Sequence, residues 1–107
     1  MKQIILLTGD LAAGKSTFSK LLSDRYKITC YNKDDIKELL GDNFGFRNRE
    51  ENLKLSMCTF DIFKYIIKKN IEVNESIIIE SNFRQHELDY IKLRAQENDY
   101  QIITIVI

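Results

Sequence analysis

The chain has no proline, only two cysteines, one histidine and four glycines among its 107 residues. With 44% hydrophobic and 30% charged residues, the lack of proline excludes a proline-rich linker or a disordered tail. One globular domain spanning 1–107 is expected instead. Cys30 and Cys58 form no CxxC and have no metal-ligand spacing, so a disulfide framework and a zinc site are both excluded. They read as reduced thiols of a cytoplasmic protein. Neither charge sign dominates: 16 basic residues face 16 acidic ones, with a pI near 6.6. A protein that tracks nucleic acid usually carries a basic excess, and the global count has none. No segment reaches the roughly 18 apolar residues that cross a bilayer. The run after Met1-Lys2-Gln3 is too short for a signal peptide. No membrane partner is expected, and Asn74-Glu75-Ser76 therefore never meets the glycosylation machinery. His86, the one histidine, has no partner at catalytic spacing and reads as a surface residue.

What is present is an alternation of strand and helix patterns. Ile4-Ile5-Leu6-Leu7 is a continuous apolar run, the pattern of a strand covered on both faces. From Lys15 the period changes, and Phe18, Leu21 and Leu22 predict an amphipathic helix to about Arg25. Ile28 to Tyr31 is β-branched and aromatic, a second strand. Asn32 or Asp34 then caps a short helix bearing Ile36, Leu39 and Leu40, which Gly41 is expected to end. After a loop to Asn48, a longer helix from about Arg49 to Lys69 carries Leu53, Met57, Phe60, Phe63 and Ile67 as its core stripe. Lys68 and Lys69 at its end suit the helix dipole. Ile77-Ile78-Ile79 is a third strand. Asn82 and Gln85 resemble a capping pair for a helix with Leu88, Ile91 and Ala95 inward. Tyr100 to Ile107 is a fourth strand. This order predicts an α/β fold with a parallel sheet. A parallel strand as apolar as the fourth wants cover on both faces, yet the sequence stops within it. A fragment, or cover from another element, is the expectation.

Gly9-Asp10-Leu11-Ala12-Ala13-Gly14-Lys15-Ser16 fits G-x-x-x-x-G-K-[ST] at every fixed position, between a buried strand and an amphipathic helix. Gly9 and Gly14 allow backbone angles that side chains forbid and let the chain approach phosphates. Successive N–H groups, through Thr17, then point into one concavity, and the helix adds its positive end. Lys15 offsets charge on the β and γ phosphates. Ser16 offers its hydroxyl to Mg²⁺, which takes few protein ligands and keeps several waters. Asp10 is an odd neighbour for phosphates, and its side chain is expected to point into solvent. The segment predicts a nucleoside triphosphate site, for ATP or else GTP. A glycine turn between strand and helix is the plain alternative.

Asp34 and Asp35 follow the second strand directly. In an open parallel sheet, ligands bind beyond the carboxyl ends of the strands, the side on which this pair emerges. A carboxylate there can take a proton from an attacking hydroxyl. An aspartate at a helix start also serves as a cap without any chemistry. Arg84, just after Asn82, is a candidate for the same cleft.

Three strings, Ile4 to Thr17, Asn-Lys-Asp-Asp-Ile-Lys at 32–37, and Ile78-Ile79-Glu80-Ser81-Asn82, together resemble the N-terminal two-thirds of a small P-loop kinase. The group it resembles is the polynucleotide-kinase and zeta-toxin-like kinases, AAA-domain ATPases of the kinase type. The resemblance implies a three-layer P-loop NTPase fold with strand order 2-3-1-4. It implies Asp34 as general base, with Lys37 holding the acceptor where the family usually has Arg. It also implies Glu80, in place of the usual Asp, as a Mg²⁺ residue acting through water, with Asn82 matching the family. Arg47 and Arg49 lie where this kinase type places acceptor-binding residues. Family members continue into a helical lid with arginines and a fifth strand, so the chain reads as C-terminally truncated. The implied reaction moves the γ-phosphate of ATP to a hydroxyl, with Lys15 stabilising charge. The neutral composition favours a small-molecule acceptor over a polynucleotide 5′ end. A nucleotide-binding module without transfer activity and an NTP hydrolase are the rival readings.

Overall fold

The computed structural model of the protein describes residues 2–9 and 15–107, with the side chains of Lys15 and Ser16 outside that set. Its elements run β1 (Gln3–Thr8), α1 (Lys15–Tyr26), β2 (Cys30–Asn32), α2 (Lys33–Phe44), α3 (Arg49–Glu72), β3 (Ile77–Glu80), α4 (Gln85–Glu97) and β4 (Gln101–Val106). The strands form one parallel sheet in the order β2-β3-β1-β4, as the resemblance implied. Leu7 pairs with Glu80, which pairs in turn with Asn32. The carboxyl ends of β1, β2 and β3 are therefore level with one another.

Side chains alternate across a strand, so the sheet sorts its residues into two layers. Ile4 and Leu6 of β1 and Ile77 and Ile79 of β3 pack with Phe60, Phe63 and Ile67 of α3 and with Ile91 and Ala95 of α4. Ile5, Leu7, Ile78 and Glu80 have the opposite parity, and Glu80 meets Ser19 of α1. The helices thus cover both faces, which is why β1 and β3 read as unbroken apolar runs. Burying each of these branched side chains contributes about 1.5–3 kcal/mol. Among the described residues no helix is long and apolar enough to cross a membrane.

Several boundaries and faces differ from expectation. Gly41 does not end α2. The helix continues to Phe44, and Gly45, at φ 68°, is the residue that leaves the helical region and donates its N–H to the Gly41 carbonyl. Gly45 suits that stop because an L side chain rarely tolerates positive φ. β2 starts only at Cys30, and α3 extends past Lys69 to Glu72. On α1, Phe18 and Leu21 are exposed and Ser19 is buried instead, because the helix turns its hydroxyl toward Glu80. On α3, Leu53 and Met57 are exposed, while Ser56 and Thr59 join Phe60, Phe63 and Ile67 on the buried face. Thr59 tolerates burial because its Oγ1 donates to the Leu55 carbonyl within the helix at 2.7 Å.

The start of α4 is also built differently. Asn82 and Gln85 do not form its cap. Arg84 is the cap residue, and the Glu87 carboxylate accepts its N–H at 2.9 Å. That leaves the Asn82 side chain for another use.

Candidate functional site

Residues at the carboxyl edge of the sheet are tied together across strands. Asn82, just past β3, accepts hydrogen bonds through Oδ1 from Thr8 Oγ1 at 3.0 Å and from Gly9 N at 3.2 Å. The end of β3 thus holds the first glycine of the phosphate-loop motif. Gly9 sits at φ 139°, and a Cβ built there would overlap the carbonyl oxygen of Ile107. The fold itself therefore requires glycine at this position. Gly9→Ala is expected to destabilise the protein by at least about 1–3 kcal/mol, the cost of a residue held in a forbidden region, before the overlap is relieved. Chemical denaturation measures this, and an unchanged midpoint would mean that β1 and β4 do not approach so closely.

Asp10 to Gly14 lie outside the described residues. The backbone from Lys15 is helical and Thr17 is exposed on α1. Glu80, with 2% of its surface exposed, closes β3 and accepts from Ser19 Oγ at 3.1 Å. Buried carboxylates need such partners, since desolvation otherwise disfavours their charge. A cleft of about 520 Å³ runs between α1 and the β2–α2 junction, with Ser19, Cys30, Asn32, Asp35 and Glu80 on its walls. Burial pushes the Cys30 thiol above its usual pKa, a Ser19 hydrogen bond pulls it down, and the Glu80 and Asp35 charges push it up. Cys30 is therefore held as a thiol, the form that is a poor nucleophile.

Asn32 ends β2 and caps α2, its Oδ1 accepting from Asp35 N at 3.2 Å. That cap turns the next residues sharply, and the two aspartates part. Asp35 faces the cleft beside Glu80. Asp34 is exposed on the other side, where it lines a groove of about 330 Å³ between α2 and α3 with Lys37. Asp34 and Lys37, paired by the resemblance, thus share one cavity.

The arginines are distributed differently. Arg47 and Arg49 are exposed, and the Arg47 guanidinium bonds the Glu51 carboxylate at 3.2 Å. Neither is among the residues lining the α2–α3 groove. Arg84 lines a smaller cavity of about 150 Å³ between α3 and α4, with Phe60, Lys64, His86 and Glu87. His86 is exposed there, edge-on to Phe60 at 6.1 Å.

Sequence reasoning missed three residues near the site. Ser19 and Thr8 are too common in type to stand out, though Ser19 follows Ser16 by one helical turn. Lys33 lies in a polar run, and nothing in its residue type marks it as buried. It is instead the buried residue of α2, with Nζ 2.7 Å from Glu87 Oε2. Glu87 therefore joins the start of α2 to the start of α4 with one carboxylate, Oε2 to Lys33 and Oε1 to the Arg84 amide.

No protein-family model matches the chain, and no curated protein matches it. A crystal structure from Chloroflexus aurantiacus J-10-fl, described as that of a "putative kinase", superposes with a TM-score of 0.85 at 24% sequence identity. The likeness shows the fold. It covers 98% of this chain, which spans 58% of that protein.

Proposed function

We propose that the chain binds a nucleoside triphosphate, ATP or else GTP, over the 9–17 loop and transfers its γ-phosphate to the hydroxyl of a small molecule. The observation that carries this reading is the bonding of Asn82 to Thr8 and Gly9, on the sheet edge that also bears Glu80 and the start of α2. A motif that fits a phosphate loop, a carboxylate-bearing helix start and a buried acid then border one region, where ligands of parallel sheets bind. That the Chloroflexus protein is described as a kinase adds to it.

Within this reading, Lys15 and the loop amides hold the β and γ phosphates. Asp34 accepts the proton of the acceptor hydroxyl as its oxygen bonds to the γ-phosphorus. The bond from that phosphorus to the bridging oxygen breaks, and the nucleoside diphosphate leaves with the electron pair. Most of the rate comes from positioning and electrostatics. Ser16 would hold Mg²⁺, with Glu80 acting through a water. A buried Glu80 already bonded to Ser19 fits such an indirect role, because Mg²⁺ usually keeps several waters. When bound, Mg²⁺ neutralises phosphate charge. Free thiols at Cys30 and Cys58 suit a reducing compartment such as the cytoplasm.

Incubation with γ-labelled ATP and a panel of hydroxyl compounds tests the proposal. Label is expected on an acceptor. Free labelled phosphate as the sole product would favour a hydrolase, and binding without turnover a nucleotide-binding module.

A further inference from the structure

Lys33 opens α2 and Glu87 lies in the first turn of α4. Their side chains, 11% and 2% exposed, meet in the interior with Nζ 2.7 Å from Oε2. The same ammonium lies over the Phe60 ring of α3, 6.0 Å from its centroid. Each of the other ion pairs among the described residues joins neighbours three or four positions apart. The Lys33–Glu87 pair instead joins two separate elements.

Stability does not account for such a pair. Taking two charges out of water costs about as much as their attraction returns, and apolar side chains of similar volume usually serve a fold as well. What the pair adds is direction. Glu87 cannot release Lys33 without stranding a charge in the interior, so the two hold one geometry. The same carboxylate accepts the Arg84 N–H through Oε1 at 2.9 Å, which fixes its own orientation.

The two ends of this linkage reach the carboxyl edge of the sheet. Successive helical residues point about 100° apart, so an anchor on Lys33 sets where its neighbours face. Asp34 lines the α2–α3 groove and Asp35 the cleft beside Glu80. A rotation of the first turn of α2 would turn both away. At the other end, Arg84 stands two residues after Asn82, whose Oδ1 holds Thr8 and Gly9. Glu87 therefore links the first turn of α2 to the segment that grips the end of β1.

We infer that Lys33 and Glu87 are positioning residues, whose buried pair holds Asp34 in a fixed relation to Gly9. The task of Asp34 as a base rests on the kinase reading, and the linkage of α2 to the Gly9 end of β1 does not.

Lys33→Met combined with Glu87→Met removes the pair without stranding a charge. The double variant is expected to bind ATP at the parent's stoichiometry. Its kcat for label transfer at saturating ATP, counted per ATP-binding site, is expected to fall by about 10–10², the scale of a misplacement near 1 Å. An unfolded fraction would lower stoichiometry in step with rate and so cannot produce that split. Lys33→Arg keeps a cation opposite Glu87 and is expected to retain most of kcat. Should the double variant not fold, Glu87→Asp reads the same loss, because it keeps both charges and draws one back by a methylene. Parental kcat in the variant used overturns the inference, as does a Lys33→Arg protein equally slow. Backbone amide shifts report the linkage without nucleotide. Changes are expected to extend from residues 33 and 87 to Thr8 and Gly9, and changes confined to α2 and α4 overturn it. A parent protein that transfers no label retires the kinase reading, and the amide shifts then decide the linkage alone.

Discussion

Asp34→Asn is expected to lower kcat for phosphoryl transfer by about 10²–10⁴, the range a positioned general base supplies, while ATP affinity stays within about twofold of the parent. The substitution keeps size and shape and removes the basic lone pair that takes the proton in the proposed reaction. Asp34 is exposed in the first turn of α2, so the fold loses only a surface carboxylate at a helix start, about 0.3–1 kcal/mol. Asp35→Asn is the necessary companion. Its carboxylate faces the cleft that holds Glu80 and Cys30 rather than the α2–α3 groove. Single-turnover transfer and calorimetric binding of ATP, measured on both variants, separate the two. A fully active Asp34→Asn beside an inactive Asp35→Asn would move the base to Asp35 and detach it from the groove.

Glu87→Ala should cost stability on a scale the protein can hardly bear. Glu87 is 2% exposed and its partner Lys33 8%. Deleting one member of a buried pair leaves the other charge without compensation, typically about 3–5 kcal/mol. The same deletion strips the Arg84 N–H of its acceptor, a further cost of about 1 kcal/mol. Small domains have roughly 5–15 kcal/mol in total, so a large loss of urea midpoint is expected, with partial unfolding at 37 °C. Lys33→Met combined with Glu87→Met should recover much of that loss, because two apolar side chains leave no stranded charge. Recovery in the double variant would attribute the damage to the stranded ammonium. Its absence would attribute it to the lost cap of α4 instead.

How much of this was legible in the residues depends on how local each signal was. Ile4 to Leu7 and Ile77 to Ile79 announced themselves as buried strands because both faces are covered and no polar residue interrupts them. The strand order followed from the resemblance, since no local pattern says which strand lies beside which. The G-x-x-x-x-G-K-S segment stood out because its residues are consecutive, and the phosphate site it implies belongs to the proposal. The helix faces were harder. On α3 the hydrophobic period favoured Leu53 and Met57, and the fold buries Ser56 and Thr59 instead; for Thr59, a hydroxyl that bonds its own helix backbone costs little to bury. Gly41 looked like a stop because glycine ends many helices, yet the positive φ fell at Gly45. The Lys33–Glu87 pair joins residues 54 positions apart, and neither residue type advertises burial. Likewise, the role of Asn82 became plain only once β1 and β3 lay side by side. The separation of Asp34 from Asp35 is geometric, set by the turn that Asn32 caps.

The closeness of Ile107 to Gly9 has a practical consequence. The Ile107 N–H donates to the Thr8 carbonyl at 3.0 Å, so whatever is joined after Ile107 departs beside Gly9. A purification tag or fluorophore attached there would crowd the nucleotide site proposed for this edge of the sheet. The strands run parallel, so β1 begins at the far edge of the sheet, one strand length away. Labels for binding measurements belong at that edge, where their bulk is least able to pass for inhibition.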